Sequence, residues 1–436
     1  MTKDNGQKGV ISRLQNQTTH RTVLNNGIVV LVAENPAADI IAGRIFVRAG
    51  SCWEARDQAG LAHLLSAVLT KGTQDLTSLE IAERVESVGA SLGADAATDY
   101  FLLSLKTVSA DFAEILELAG QLLRLPTFPE VEVELERRLA LQDIRSQQEQ
   151  PLTIAFEQLR QAMYKNHPYA LSGLGTEATV SQLSCADLQH YHQTYFRPDN
   201  VVISIAGRVT AKDAVALVEK VFGDWQIPPI PLPTLTLPTL SVQPEQRMTP
   251  QETQQSIVML GYLAPAVQKA DYTAVKLLST YLGNGLSSRL FVELREKRGL
   301  AYEVSAFYPT RLEPATFVVY MGTAPENTAI ALEGLRTEVE LLCTAQLEDA
   351  ALQAAKNKLL GQYALGKQTN AQIAQVFGWY ETLGLGISFD SEFQQQVAGV
   401  TAAMAQQAAC RYLVEPYVSL VGPEAAVNSL VATSAI

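Results

Sequence analysis

Apolar and polar residues follow one another along the N-terminal half in patterns that predict strands and helices. The segments GIVVLVAE (27–34), AGRIFVRAG (42–50) and YFLLSLKTV (100–108) are rich in β-branched residues and partly alternate, as is typical of strands. A helical pattern covers residues 58–69. Thr77 and Glu80 form a capping-box signature that predicts another helix. Two more helical stretches are predicted, at 111–124 and 129–147.

The C-terminal half repeats this order of elements. A strand pattern at 256–265 precedes two helical patterns, and paired strand patterns and two more helical patterns follow. These helices and strands are predicted at 271–282, 286–297, 301–310, 315–323, 325–343 and 347–366. The recurrence predicts an α+β fold built from two tandem homologous domains. We expect each domain to contain a mostly antiparallel sheet covered by helices.

A proline-rich segment separates the two halves. The run QIPPIPLPTLTLPTLSVQP (226–244) contains six prolines, which remove backbone donors and favour an extended, semi-rigid chain. A length of 436 residues also favours two domains over one. We therefore expect an N-terminal domain at 1–226, a linker at 227–247 and a C-terminal domain at 248–436.

Composition narrows the class of protein. Apolar residues make up 47% and charged residues 18%, which favours large buried cores, and the net charge of −12 gives a nucleic-acid partner no electrostatic help. The four cysteines are far apart and form no CxxC pair, so we expect reduced, mostly buried thiols. No apolar segment resembles a secretory signal or a membrane span, so we expect a cytoplasmic protein.

The segment GLAHLLSAVLTKGT (60–73) resembles the zinc-binding helix of the pitrilysin-type metallopeptidases, the inverzincins. That family carries H-x-x-E-H within a setting similar to GLAHFLEHMLFKGT. The flanking residues match, and His63 stands at the first histidine position. Ser66 occupies the glutamate position, and Ala67 occupies the second histidine position. The resemblance therefore covers the residues around the motif and the first histidine, but not the glutamate or the second histidine.

The two replaced residues are ones that zinc-dependent peptide hydrolysis requires. Two histidines four apart share a helix face and can hold one zinc ion, and the glutamate acts as the general base. Ala67 offers no ligand atom, Ser66 is no base at neutral pH, and the family's third ligand position falls on Asp143, one methylene shorter than glutamate. No other histidine has a supporting spacing. We therefore expect no zinc in this chain and interpret His63 as a packed helix residue.

The second family signature is intact. The segment YLGNGLSSRLFVELREKRGLAYEVSAFY (281–308) resembles the family motif GLSSRLF-x-E-x-REKRGLAY almost letter for letter. In the family, the residues that match Arg295 and Tyr302 bind the substrate carbonyl beside the scissile bond, at the zinc site of a facing domain. Such donors act as an oxyanion hole. Without the resemblance, an Arg and a Tyr at this spacing are more often plain surface residues.

The resemblance implies a non-catalytic subunit of a heteromeric zinc metalloendopeptidase, similar to the incompetent subunit of mitochondrial processing peptidase. Its partner is expected to be a homologous subunit with intact H-x-x-E-H that carries the zinc, and the two would enclose a peptide substrate. One alternative is a structural pseudo-peptidase with no role in proteolysis. The other is an autonomous hydrolase using Ser66, which has little support because no GxSxG elbow is present.

Overall fold

The computed structural model describes residues 19–434, apart from the side chains at 429 and 431–434. The N-terminal segment MTKDNGQKG, on which part of the localisation expectation rests, lies outside the described residues. The chain forms two compact units, each containing one sheet with helices packed on it.

The described part of the chain contains eleven strands and fifteen α-helices. The strands are β1 (Thr19–Val23), β2 (Val29–Glu34), β3 (Ile40–Val47), β4 (Ser91–Ala96), β5 (Phe101–Val108), β6 (Val201–Gly207), β7 (Gln246–Pro250), β8 (Ser256–Ala264), β9 (Glu303–Phe307), β10 (Ala315–Thr323) and β11 (Tyr417–Gly422). The helices are α1 (Leu61–Val68), α2 (Ser78–Ser87), α3 (Phe112–Arg124), α4 (Glu130–Gln148), α5 (Pro151–Tyr164), α6 (Glu177–Val180), α7 (Cys185–Tyr195), α8 (Ala211–Phe222), α9 (Tyr272–Gly283), α10 (Thr328–Thr344), α11 (Asp349–Leu365), α12 (Asn370–Thr382), α13 (Phe389–Gly399), α14 (Ala402–Tyr412) and α15 (Glu424–Ser434).

The two sheets share one topology, which confirms the predicted duplicated α+β fold. The first sheet has the strand order β1-β2-β6-β3-β5-β4, and the second has the order β7-β11-β8-β10-β9. In each sheet the pair β2·β6 or β7·β11 is parallel, and every other neighbouring pair is antiparallel. Within residues 19–434, strand β1 is the only strand of the first sheet without a counterpart in the second. The sheets are therefore mostly antiparallel, as the strand patterns predicted.

The compact units differ from the contiguous domains expected at 1–226 and 248–436. Among the described residues, the first unit comprises 19–142, 173–236 and 363–390, and the second comprises 143–172, 237–362 and 391–434. Helix α12 packs on β3 and β6 of the first sheet, and helix α5 packs on β8 and β11 of the second. Each sheet thus buries its apolar face against a helix from the other half of the sequence, because helix packing selects a matching apolar surface wherever the chain supplies it.

Most local predictions agree with the structure. Thr77 caps α2 with the full capping box, since its side chain accepts from the Glu80 backbone and Glu80 accepts from the Thr77 backbone. The proline-rich run 226–244 forms neither helix nor strand. The helix predicted at 286–297 is shorter and contains a π-helical turn, Phe291–Glu296. None of the helices within 19–434 combines the length and apolar character needed to span a bilayer.

The cysteines correct one expectation. Only Cys52 is buried, whereas Cys185 and Cys343 are half-buried and Cys410 is exposed. The prediction of mostly buried thiols was therefore wrong. The exposure of a cysteine near the end of a helix depends on which side of the helix packs against the rest of the protein. The local sequence does not determine that side.

Candidate functional site

Helix α1, which carries the degenerate zinc motif, is held at its N-terminus by a buried carboxylate. Glu54 is 8% exposed, and its two oxygens accept hydrogen bonds from the backbone N–H groups of Gly60 (2.9 Å) and Ala62 (2.6 Å). Burial raises the pKa of Glu54 to about 8, and the two backbone hydrogen bonds act in the opposite direction. The first turn of the helix is therefore fixed by one side chain that the sequence pattern did not single out.

The three motif positions on α1 offer little for metal chemistry. His63 and Ala67 are half-buried, and Ala67 carries no ligand atom. The buried Ser66 hydroxyl donates a 2.7 Å hydrogen bond to the backbone carbonyl of His63. Because this hydroxyl is bonded back to its own helix, it is not directed at a substrate or a metal.

The residue at the third ligand position does not complete a set of zinc ligands with His63. Asp143 is an exposed residue of α4, and no group of three or more His, Cys, Asp or Glu residues within 19–434 is arranged to hold a metal ion. Nearby on the same helix, Glu136 is paired with Lys71 at 2.9 Å. A zinc site needs three or four ligands. The donor set around His63 therefore does not fit a catalytic zinc ion.

The intact motif of the second unit begins with a turn that is anchored on α10. The Nε of Arg289 donates to a carboxylate oxygen of Glu338 at 2.7 Å, and Glu338 is 3% exposed. Leu294 packs against Gly334, where an added Cβ would lie 2.9 Å from the leucine side chain. These two contacts fix one face of the turn. Its other face, which includes Arg295, is exposed.

Arg295 lies within the π-helical turn Phe291–Glu296. The N–H of Lys297 donates to the carbonyl of Val292, five residues earlier, at 3.0 Å. The guanidinium of Arg295 lies over the Phe291 ring at 4.9 Å. An aromatic face attracts the cation and limits its rotamers without consuming its N–H donors. Single π-helical turns occur frequently at functional sites. Arg295 is thus oriented while its donors stay accessible.

The turn ends at a glycine and leads directly to Tyr302. Gly299 has a φ of +62°, and its N–H donates to the carbonyl of Arg295 at 3.1 Å, which is the hydrogen bond of the αL capping motif. The N–H of Leu300 donates to the carbonyl of Leu294 at 2.9 Å. Tyr302 precedes β9, its backbone N–H donates to Gly322 at 2.9 Å, and its side chain is 63% exposed. A glycine turn thus joins the helical segment predicted at 286–297 to the strand predicted at 301–310. Two exposed donors are therefore carried on a fixed backbone.

A chain of polar contacts supports this segment. The Tyr320 hydroxyl donates to Glu303 at 2.7 Å, and the Ser305 hydroxyl donates to the carbonyl of Gly283 at 2.7 Å. Gly283 lies so close to β9 that an added Cβ would come within 1.8 Å of the backbone nitrogen of Ala306. The contacts join the loop before the π-helical turn to β9 and β10. Local sequence patterns do not predict these contacts, because the neighbours of a residue on adjacent strands depend on the strand register.

Comparison with protein families now agrees with this architecture. Residues 29–177 match the family model described as Insulinase (Peptidase family M16), and residues 182–359 match the model described as Peptidase M16 inactive domain. The two models follow one another along the chain, and the second begins within the first unit, before β6. The chain belongs to the M16 peptidase family.

Curated relatives of this M16 chain are named as zinc proteases. It is 27% identical over 420 residues to an uncharacterized zinc protease of Mycobacterium leprae, a match that covers 94% of this chain and 93% of the relative. It is 26% identical over 356 residues to an uncharacterized zinc protease of Bacillus subtilis, with 81% and 86% covered. The chain is thus related to metalloproteases over most of its length.

Solved structures share the M16 fold. A structure described as the peptidase M16 inactive domain from Pseudomonas fluorescens matches with a TM-score of 0.87 and 25% identity, over 93% of this chain and 98% of that one. A protease from Helicobacter pylori matches with a TM-score of 0.88 and 22% identity, over 93% and 100%. The second similarity concerns the fold alone. The predicted family and α+β fold are confirmed, and the roles of Arg295 and Tyr302 stay predictions.

Proposed function

We propose that this M16 chain is the non-catalytic subunit of a heteromeric zinc metalloendopeptidase. In this proposal, Arg295 and Tyr302 bind the substrate carbonyl in the peptide-enclosing cavity of a homologous subunit that carries the zinc. The observation that carries the proposal is a contrast within one chain. The metal-binding helix α1 lacks its ligands, whereas the Arg295–Tyr302 segment keeps both donors exposed on an anchored backbone.

The first half of this contrast argues against independent catalysis. His63 is the one histidine of α1, and the Ser66 hydroxyl donates a 2.7 Å hydrogen bond to the backbone carbonyl of His63. A zinc site that has lost one of its ligands cannot activate a water molecule for peptide hydrolysis. A site that has lost its general base cannot do so either. Relatives named as zinc proteases support a peptide substrate, and the residues missing from α1 support the proposal that another subunit carries the reactive metal.

The second half indicates what this chain contributes. Attack on a peptide carbonyl moves negative charge onto its oxygen, and hydrogen-bond donors aimed at that oxygen stabilise the charge. A guanidinium offers N–H donors and a full positive charge, and a phenol offers a short O–H donor. Arg295 is oriented by Phe291, and Tyr302 by the backbone bond to Gly322. Preorganised donors need little rearrangement when the charge develops, which is the basis of their catalytic effect.

The test is reconstitution with a homologue from the same organism that has intact H-x-x-E-H. Each chain is purified alone and in a mixture, and hydrolysis of a quenched fluorescent peptide library is measured with and without a chelator. We expect chelator-sensitive cleavage by the mixture and none by this chain alone. Cleavage by this chain alone would overturn the proposal. A stable complex whose activity is unchanged by loss of both Arg295 and Tyr302 would instead favour a structural role.

A further inference from the structure

Two cysteines meet where two helices of the second unit end. Helices α10 and α14 pack against each other, and Cys343 and Cys410 lie in their last turns. The thiol of Cys410 donates to the backbone carbonyl of Cys343 with an Sγ···O distance of 3.3 Å, and Cys410 is close enough to contribute to the raised pKa of the Cys343 thiol. The two residues are therefore in direct contact, although 67 positions separate them in the sequence.

The surroundings keep the pair accessible from one side. Cys410 is exposed and Cys343 is half-buried. The Cys343 thiol also donates to the carbonyl of Leu413 at 4.0 Å, and the Gln406 amide donates to the carbonyl of Cys343 at 3.0 Å. The Cys343 thiol thus lies between the carboxyl ends of two helices, and Cys410 is the exposed residue of the pair.

We infer that Cys343 and Cys410 are an oxidation site at which a low-molecular-weight disulfide, such as oxidised glutathione, converts the two thiols into an intramolecular disulfide. The Cys410 sulfur first attacks the oxidant, which breaks the oxidant's S–S bond, releases one glutathione thiol and leaves a mixed disulfide on Cys410. The Cys343 sulfur then attacks the Cys410 sulfur and releases the second glutathione thiol. Two protein thiols lose two electrons and two protons in total, and the oxidant is reduced to two thiols.

The order of the two steps follows from exposure and acidity. The exposed Cys410 is the sulfur that an oxidant can reach. Burial raises the pKa of Cys343 to about 12, and Cys410 and Glu340 add to this effect, while Tyr262 on β8 is the other titratable neighbour. Because the thiolate is the nucleophile, a raised pKa makes Cys343 a poor first attacker. Its proximity to Cys410 makes the second step intramolecular, which compensates for its low thiolate fraction.

The Cys343–Cys410 disulfide would link α14 covalently to α10, next to a cavity. Arg411 and Tyr412 follow Cys410, and both bind the Asp271 carboxylate, at 2.5 Å and 3.1 Å. The same two residues line a cavity of about 500 Å³ together with apolar side chains such as Leu263 and Val414. Oxidation of the pair therefore restricts the helix whose end forms one wall of this cavity.

The experiment uses the full-length chain. The reduced protein is incubated with oxidised glutathione, quenched with an alkylating reagent and mapped by peptide mass spectrometry without reduction. We expect a Cys343–Cys410 cross-link as the main product and a thermal midpoint higher by about 3 °C or more, because the bond closes a long loop of the unfolded chain. The rate of ring closure rises about tenfold per pH unit across the neutral range, because it follows the Cys343 thiolate.

Two variants and one control make the test specific. Cys343→Ser accumulates a stable glutathione adduct on Cys410, since the resolving sulfur is gone, whereas Cys410→Ser forms little adduct on Cys343. Cys185→Ser, which removes a half-buried thiol of the first unit, forms the cross-link as the wild type does. A wild-type protein that keeps glutathione on Cys410 beside an alkylated Cys343 overturns the inference. So does a cross-link that pairs either cysteine with Cys52 or Cys185.

Discussion

The Nε of Arg289 donates a 2.7 Å hydrogen bond to Glu338, whose side chain is 3% exposed. This pair fastens the turn that carries Arg295 onto α10. Arg289 also contacts Glu293 at 3.3 Å within the same turn. A single buried carboxylate on a neighbouring helix thus determines where the exposed face of the π-helical turn points. The position of this turn therefore depends on Glu338, a residue that lies outside the motif at 281–308.

Removal of this carboxylate should destabilise the second unit. Glu338→Ala leaves the half-buried guanidinium of Arg289 without its main partner, and we expect a loss of about 2 kcal/mol in the free energy of unfolding, since Arg289 keeps some access to water. Urea denaturation measures this. The matched control is Glu333→Ala, an exposed residue of the same helix, for which we expect a change within about 0.5 kcal/mol. Equal effects of the two substitutions would contradict the anchoring role.

Glu54 should make the stability of the first unit depend on pH. Burial raises its pKa from 4.5 to about 8, so the folded state holds a proton that the unfolded state loses between these values. The stabilising contribution is complete below pH 4.5 and is lost as the pH rises through about 8. The slope of the free energy of unfolding is at most about 1.4 kcal/mol per pH unit.

Glu54→Gln tests this dependence. The amide cannot ionise, so we expect the slope in this window to disappear, while α1 loses one of its two backbone acceptors. Denaturant titrations at several pH values between the two pKa values measure the slope. Glu83→Gln, an exposed residue of α2, should leave the slope unchanged. An unaltered slope in Glu54→Gln would assign the pH dependence to other groups.

Gly299→Ala should cost stability through backbone conformation alone. Gly299 has a φ of +62°, and an added Cβ would meet no atom within 4 Å. We therefore expect a destabilisation of about 1–2 kcal/mol, the cost of a left-handed conformation for an L-residue. Gly361→Ala is the matched control, because this glycine lies in α11 and also has open space around it. That substitution should stabilise the protein by about 0.5–1 kcal/mol.

In the reconstituted complex, loss of either donor should lower the rate of peptide cleavage. We expect Arg295→Ala and Tyr302→Phe each to reduce kcat by ~10² or more, with smaller changes in KM, because the donors act on charge that develops in the transition state. Both side chains are exposed, so the fold of this chain should be unaffected. Glu296→Gln, in the same turn, is the control. Wild-type kcat in either donor variant would exclude the proposed role.

Restoring the family's residue types should create a zinc site. The triple variant Ser66→Glu, Ala67→His, Asp143→Glu rebuilds H-x-x-E-H and the third ligand, and we expect about one zinc ion per chain after dialysis. The wild-type chain should retain almost none, because His63 alone is one ligand. Elemental analysis of both proteins gives the stoichiometry. Stoichiometric zinc in the wild type would show that the ligand count misses a donor.

Local sequence patterns were sufficient for most elements. The strand patterns at 27–34 and 100–108 correspond to β2 and β5, and the capping box at Thr77 starts α2 where the sequence places it. These features depend on propensities and hydrogen bonds within a few residues of each other. The π-helical turn was not predicted, because it depends on how Arg289 and Leu294 meet α10.

The identity of the candidate site was likewise contained in the sequence. Residue types alone show that Ser66 replaces the general base and Ala67 replaces a zinc ligand. They also show that Arg295 and Tyr302 are present, since the chemistry of a donor or ligand depends on the side chain itself. Tertiary structure alone decided that α5 and α12 each cover a sheet of the other half, that Glu54 holds α1, and that Cys343 meets Cys410. These contacts join residues far apart in the chain, and their energies depend on burial and distance, which only the folded chain defines.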